Sequence, residues 1–315
     1  MEQRQLGGSG LNVSVVGLGC NSFGWKADLK TTGEIIGRAI DSGITFFDTA
    51  ISYGPSEEFM GEVLGDRRKE IVLATKFGSP QDPLEGEQRA SRSYIMTAVE
   101  ASLKRLRTDW IDLYQLHFPD PATPIDETLR ALQDLISQGK VRAIGCSNLS
   151  PAAVEEAAAA AKGAGITAFA TTQNEYSVLF REFEQDMAPV AERLGLGILP
   201  YFPLANGVLT GKYKPGQPAP ADGRLASAPA FFDNYKDEAK WEVAARLENY
   251  ARDKGHSLLE LAFSWLAAQP NVSSVIAGAS RPEQVEANAR GAGWKMSAED
   301  LAEIDRITNS LADAA

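Results

Sequence analysis

Histidine and cysteine are scarce in this sequence. Its 315 residues hold two of each: His117 and His256, Cys20 and Cys146. Two histidines exclude a histidine-rich metal cluster, and neither lies in an HExxH arrangement, so no metal site is expected unless carboxylates alone were to build one. Two distant cysteines cannot form a disulfide framework or a cysteine-rich zinc site, and each sits in an apolar, glycine-containing stretch that reads as reduced core thiol. Long apolar runs are also missing. No window approaches the 18 or so apolar residues of a membrane helix, and the opening MEQRQLGGSG is not a basic-then-apolar leader. Direct membrane association is therefore not expected, and the expected location is cytoplasmic. Positive charge is in deficit, with 31 Lys and Arg against 42 Asp and Glu and a formal charge of -11. Without a basic block, such a chain repels a phosphate backbone, which argues against a nucleic-acid partner while leaving room for local basic sites that take a small anion.

What is plentiful is core material. With 44% hydrophobic residues, a chain of this length can bury about three quarters of its surface. The length allows two domains, but α/β barrels reach it as one unit. Eight β-rich runs recur, at 15–20, 45–50, 71–77, 110–117, 141–147, 170–177, 197–204 and 273–280. Several are almost continuously apolar, as strands covered on both faces are. Between them the periodicity changes to 3.6 and predicts helices at 31–43, 91–107, 124–139, 150–165, 182–194, 238–253, 257–268, 282–290 and 298–309. Eight strands alternating with crossover helices predict a (β/α)8 TIM barrel, a single domain over 1–315. Residues 1–14 predict an N-terminal hairpin that seals one end. The stretch from Ala205 to Lys236, with KPGQPAPADG inside it, predicts a long loop after strand seven that either varies freely on the surface or closes over a ligand.

The functional signal lies where polar residues interrupt the apolar strands. Asp48 follows TFF, Lys76 follows IVLAT, His117 follows WIDLYQL, and Tyr53 lies just beyond Asp48. Each alone has an ordinary structural reading: a turn cap, a surface-directed strand end, a satisfied core histidine, loop packing. Their shared position at strand ends places all four at one barrel mouth. There a lysine ammonium would favour tyrosinate and lower the tyrosine pKa, Asp48 would orient the lysine, and His117 would donate to a substrate oxygen. This set suits proton delivery to a carbonyl oxygen, but it holds no electron source, so a reduction would need hydride from a cofactor.

The blocks GLGCNSFG, FFDTAISYGPSEEFMGEVL, IVLATKFG, IDLYQLHFPD, GKVRAIGCSN, TTQNEYS, PYFPLANGVLTGKY and VIAGASRPEQVEAN together resemble the aldo-keto reductase family across nearly the whole chain. The resemblance implies an eight-stranded barrel that binds NADPH, or less often NADH, and reversibly reduces aldehydes or ketones. It also implies that Asp48, Tyr53, Lys76 and His117 are the catalytic tetrad, with Tyr53 as proton donor. Gly19 and Asn21 would flank the cofactor after the first strand. Ser147, Asn148 and Gln173 would hold the nicotinamide carboxamide, whose donors and acceptors uncharged amides and hydroxyls can satisfy. Tyr201 would stack on the nicotinamide, although core packing explains that residue equally well. Phe202, Pro203, Leu204, Ala205, Gly207, Leu209, Gly211 and Lys212 resemble the pyrophosphate-side loop. Gly278, Ala279, Ser280, Arg281, Gln284, Glu286 and Asn288 resemble the segment nearest the adenosine ribose, where Ser280 and Arg281 would favour the 2′-phosphate of NADPH. GLGCNSFG is not GxGxxG, so cofactor binding is expected without a Rossmann domain.

The expected substrate pocket takes in Asn21, Phe23, Trp25, Tyr53, Phe118, Phe231 and Phe232. Phe118 stands where many family members have tryptophan, which keeps an apolar wall and removes an indole donor. The partner expected is a small carbonyl compound, and the expected state is a monomer, with a homo-oligomer the alternative. Three other readings stay open: an isomerase or lyase on a generic barrel, a sugar or alcohol dehydrogenase working in the oxidative direction, and a nicotinamide-binding regulatory subunit similar to the channel-associated members of the family.

Overall fold

The computed structural model describes residues 1–86, 88–221, 225 and 230–309, without the side chains of 230–232. The chain opens with the expected hairpin, in which β1 (Gln3–Gln5) pairs antiparallel with β2 (Asn12–Ser14). Eight parallel strands follow: β3 (Val16–Gly19), β4 (Phe46–Asp48), β5 (Val72–Phe77), β6 (Ile111–Leu116), β7 (Val141–Ser147), β8 (Thr171–Glu175), β9 (Gly197–Tyr201) and β10 (Val275–Gly278). Their order in the sheet is β10-β3-β4-β5-β6-β7-β8-β9. The ring closes from β9 to the residues before β10, where Ile198 N donates to Asn271 O at 2.8 Å and Ser273 N to Ile198 O at 2.9 Å.

Helices α1 (Leu29–Asp41), α2 (Ser56–Val63), α3 (Arg92–Leu106), α4 (Ile125–Ser137), α5 (Pro151–Ala164) and α6 (Glu182–Leu194) each bridge successive strands. Between β9 and β10 come α7 (Glu238–Asp253) and α8 (Leu258–Ala268), and α9 (Pro282–Gly291) and α10 (Ala298–Thr308) end the described chain. Side-chain caps start several of them: Asp28 accepts from Thr31 N, Ser150 from Ala153 N, and Ser257 and Ser297 form capping boxes.

Helix α2 lies where the periodicity predicts none. Two turns are too short to display a 3.6 repeat, and the first turn buries a carboxylate instead of an apolar residue. Glu57, 1% exposed, accepts from Thr75 Oγ1 at 2.6 Å and Arg105 Nε at 2.7 Å, which ties α2 to β5 and α3. The predicted strands also run past their ends, since 45–50 ends at Asp48 and 197–204 at Tyr201. The excess residues are the turns that carry polar groups out of the barrel.

Register sorts the residues of each strand into two faces. Residues paired across parallel strands share a face, and the face that holds Phe46, Ala74, Leu113, Ala143, Leu199 and Ile276 forms a small apolar cluster inside the barrel. Leu6 and Val13 from the hairpin complete this cluster, so the hairpin does plug the N-terminal end. Gly7 makes that plug possible: its φ is +52°, and a Cβ there would come within 2.0 Å of Ala170 O. The opposite face, with Phe47, Leu73, Tyr114, Ile144 and Ile198, packs in the larger core against the helices. Two residues on from Phe46, Ala74 and Leu113 the interior turns polar at Asp48, Lys76 and Gln115, and Gln173 of β8 joins them by donating to Asp48. Gly145 leaves the room for this layer, because a Cβ there would sit 2.2 Å from Thr171 Oγ1 and 3.4 Å from Gln115 Cγ.

Candidate active site

The polar layer opens at the C-terminal ends of the strands, where the barrel sequence pattern places a site. Asp48, 3% exposed, ends β4, and Lys76, 0% exposed, is the fifth residue of β5. Lys76 Nζ donates to Asp48 Oδ2 at 2.5 Å, to Thr49 O at 2.9 Å and to Tyr53 OH at 3.4 Å, which uses all three ammonium donors. The ammonium also lies 4.9 Å from the Tyr53 ring centroid. His117, one residue past β6, faces Tyr53 edge to face with ring centroids 5.8 Å apart. Its Nδ1 lies 3.5 Å from Ser52 Oγ. The four residues singled out at strand ends therefore meet at one point.

The loop that carries Tyr53 is pinned from below. Ser56 Oγ donates to Cys20 O at 2.9 Å and lies 2.8 Å from Thr49 Oγ1. Burial opposes charge on Lys76, yet the Asp48 carboxylate and the Tyr53 oxygen outweigh it, and the lysine pKa is raised. Burial and the Lys76 charge push His117 from the usual 6.5 to about 2, so its imidazole is neutral. Tyr53 departs from expectation. Burial, its largest influence, raises its pKa; Lys76 pulls it down, Asp48 pushes it back up, and the net shift is upward. The phenol therefore keeps its proton, with a cation already placed to receive the anion.

The residues that resemble a cofactor site fall into three groups. Ser147, Asn148, Gln173 and Tyr201 cluster beside the four. Ser147 Oγ donates to Gln173 O at 2.9 Å, Asn148 Nδ2 to His117 O at 3.0 Å, and Tyr201 OH to Asn148 Oδ1 at 2.9 Å. Tyr201 is half-buried at the end of β9, and burial raises its pKa to about 12. Gln173 Nε2 donates to Asp48 Oδ1 at 3.0 Å, which joins this group to the tetrad. Gln115, which sequence reading passed over, donates to the same oxygen at 3.0 Å. Its signal was the alternation Leu113, Gln115, His117 in WIDLYQLH, a polar residue on the inward face of a central strand.

The second group is the turn after β9. Phe202, Ala205, Asn206 and Gly207 have φ of 53°, 45°, 52° and 102°, a tight turn in which Ala205 N donates to Phe202 O and Gly207 N to Leu204 O, both at 2.8 Å. Pro203, Ala205 and Leu209 are buried, while Leu204, Gly207 and Gly211 are half-buried and Lys212 is exposed. The third group surrounds the β10 exit. Gly278 is exposed beside Gly19 and Asn21, and Ala279 O accepts from Ser22 Oγ at 2.5 Å. Gln284 Oε1 accepts from Ser280 N at 2.8 Å, and Arg281 stands exposed at the start of α9. Glu286 turns away from these to pair with Arg38 of α1, and Asn288 is buried, 4% exposed. Uncharged amides beside the tetrad, a left-handed backbone turn and two exposed cations fit a nicotinamide dinucleotide in kind.

The expected substrate pocket is only partly assembled. Phe23 is 1% exposed and belongs to the helix-side core, so it lines no pocket. Trp25 is 66% exposed with Lys26 Nζ 4.5 Å from its ring centroid, which puts its indole in solvent at the rim. Asn21 and Phe118 are half-buried, and Phe118 packs on His117 with centroids 4.8 Å apart. The side chains of Phe231 and Phe232 lie outside the described residues. The long loop does return to the barrel: Tyr235 OH donates to Glu175 at the end of β8 and its ring packs on Phe180, 4.6 Å between centroids. No described helix is long and apolar enough to cross a membrane.

Comparison with known proteins fits this geometry. The sequence profile of the aldo/keto reductase family matches residues 15–309. An aldo-keto reductase of Bacillus subtilis, YhdN, is 35% identical over 99% of this chain and 96% of its own length. A probable voltage-gated potassium channel subunit beta of Arabidopsis thaliana is 37% identical over 92% of this chain and 90% of its own. An L-glyceraldehyde 3-phosphate reductase of Escherichia coli K12 is 32% identical over 97% and 92%.

Proposed function

The chain belongs to the aldo/keto reductase family of oxidoreductases, and on that premise we propose that it reduces a small aldehyde or ketone to an alcohol with NADPH, NADH being the weaker alternative. The observation that carries this reading is the Asp48–Lys76–Tyr53 chain with neutral His117 beside it. When bound, the dihydronicotinamide supplies hydride to the carbonyl carbon. Ser147, Asn148 and Gln173 would hold its carboxamide, and Tyr201 would stack on the ring. Lys212 and Arg281 would neutralise phosphate charge, with Arg281 and Ser280 serving the 2′-phosphate.

His117 donates one N–H to the carbonyl oxygen, which orients the substrate without adding a second cation. Tyr53 releases its proton to that oxygen as negative charge develops there, and Lys76 stabilises the tyrosinate left behind. Asp48 holds Lys76 charged and aimed. Tyr53 regains its proton from solvent after the alcohol leaves, and by the reverse transfer, with tyrosinate taking the alcohol proton, the same site oxidises an alcohol when the oxidised cofactor is in excess.

Tyr53→Phe tests the assignment. NADPH affinity, read by fluorescence titration, should be retained, while single-turnover hydride transfer falls roughly a hundred- to ten-thousand-fold. An unchanged single-turnover rate would refute Tyr53 as donor, and absence of NAD(P)H binding would refute the reading as a whole. The 37% identity to the Arabidopsis channel subunit supports a second reading as a nicotinamide-binding regulatory subunit. Stoichiometric capture of a channel partner with negligible turnover across a carbonyl panel would favour it.

A further inference from the structure

The histidine of the tetrad has one contact that the steps above leave unused. His117 Nδ1 lies 3.5 Å from Ser52 Oγ, and among the described residues neither the ring nor the hydroxyl has another hydrogen-bond partner. Backbone anchors both sides of the contact. Ile51 N donates to Lys76 O at 3.2 Å, which ties the turn carrying Ser52 to β5, and Tyr53 N donates to Ala50 O at 3.0 Å, which closes that turn. His117 N donates to Phe77 O at 2.8 Å, its carbonyl accepts from Asn148 Nδ2, and its ring packs against Phe118 and Tyr53. A single turn therefore presents both the phenol of Tyr53 and, one residue earlier, the hydroxyl that faces the imidazole.

The neutral ring carries one N–H. To donate to a carbonyl oxygen while Nδ1 faces Ser52, it must carry that proton on Nε2, and the hydrogen bond made at one ring nitrogen decides the state of the other. The Ser52 hydrogen has Nδ1 as its one protein acceptor among the described residues. We infer that Ser52 is a positioning residue: its hydroxyl donates to His117 Nδ1, keeps the ring proton on Nε2 and so fixes the tautomer that donates to the substrate. The inference rests on the reductase reading above. As negative charge gathers on the carbonyl oxygen, the Nε2–H bond polarises toward it and Nδ1 becomes the better acceptor. The Ser52 bond, 3.5 Å in the resting site, then tightens and favours the transition state over the ground state. Ser52 thus acts on the chemical step and leaves cofactor affinity alone.

The test reads the ring nitrogens directly. With two histidines in the chain, ¹⁵N-labelled imidazole gives two sets of signals, and His256→Asn identifies those of His117. In the cofactor-free protein at neutral pH, Nε2 should resonate as a protonated nitrogen and Nδ1 as an unprotonated one. Ser52→Ala should shift the Nδ1 signal, since the bond it accepts is lost. A protonated Nδ1, or an Nδ1 signal that Ser52→Ala leaves in place, overturns the inference. In single turnovers at saturating NADPH, Ser52→Ala should be about three- to tenfold slower, the scale of one neutral hydrogen bond, with the NADPH dissociation constant within about twofold. Ser52→Thr keeps the hydroxyl and should stay within about twofold of the unsubstituted rate. Alanine and threonine variants that are equally fast or equally slow overturn the inference, because neither pattern follows the hydroxyl. If the unsubstituted protein binds no NAD(P)H, the reductase reading falls on its own, and the nitrogen spectra decide the tautomer separately.

Discussion

Replacing Asp48 with asparagine should damage stability and chemistry for one reason. The carboxylate accepts from Lys76 on one oxygen and from two glutamine amides on the other, and the residue is 3% exposed. An amide in its place has one acceptor atom. Turned toward Lys76, it sets its NH2 against the glutamine donors; turned the other way, it sets NH2 against the ammonium. Breaking a buried ion pair by removing one partner costs about 3–5 kcal/mol. The chemical cost follows from Lys76. Burial disfavours its charge and Asp48 is the first of the influences that oppose burial, so without the carboxylate the lysine pKa falls and its stabilisation of the Tyr53 anion weakens. Single-turnover reduction at saturating NADPH should fall roughly a hundredfold or more. Urea unfolding followed by tryptophan fluorescence measures the first loss and stopped-flow nicotinamide absorbance the second. Asp48→Asn, Lys76→Met and the pair form a cycle. Each single substitution should cost about 3–5 kcal/mol and the pair clearly less than their sum, because the double variant leaves no buried charge unpaired. Additive costs, or an Asp48→Asn protein that turns over normally, would refute the reasoning.

Arg281→Ala should weaken NADPH about tenfold or more and leave NADH within about twofold, since a charge-assisted contact to the 2′-phosphate is removed; equal losses in the two dissociation constants would refute the phosphate role. His117 makes stability pH-dependent. Its native pKa of about 2 lies below the unfolded 6.5, so between these values the unfolded chain takes up a proton that the native chain refuses, and stability falls as pH falls. The slope approaches about 1.4 kcal/mol per pH unit below 6.5, or ~2.7 kcal/mol at pH 4.5. In urea unfolding from pH 7 to pH 4.5, His117→Asn should lack that share of the loss, and parallel curves would count against a neutral buried imidazole.

Much of the architecture was legible because parallel strands buried on both faces leave a strong apolar signature. VVGLGC, IVLATKF and WIDLYQLH stand out as strands at once. So does the tetrad, since a polar residue that ends an apolar run has few places to go but the mouth of the barrel. Gln115 was equally visible by its two-residue spacing from Leu113 and His117, but reading strand ends alone passed over a polar residue inside a strand. The rim was not legible. Phe23 and Trp25 are both aromatic residues of one loop, yet one is sealed in the core and the other is 66% exposed. Nothing in CNSFGWK says which side of that turn faces the helices. Glu286 looked like a neighbour of Arg281 on the same helix and pairs instead with Arg38, 248 residues earlier.

The sequence by itself determined the layer architecture and which polar residues meet at the barrel mouth, because both follow from local patterns: apolar runs, helical periods, caps and polar strand ends. Tertiary structure decided what those groups are like. Tyr53 has a raised pKa instead of the lowered one that a lysine neighbour alone would give, because burial outweighs the lysine and Asp48 opposes it too. Asp48 is shared between one ammonium and two amides because the closed ring turns side chains of β4, β5, β6 and β8 into one interior, although register pairs Asp48 with Ala74, Lys76 with Gln115 and Gln173 with Ser147. Desolvation and the sharing of a buried acceptor depend on atoms far apart in the chain, and they exist only once the ring is closed.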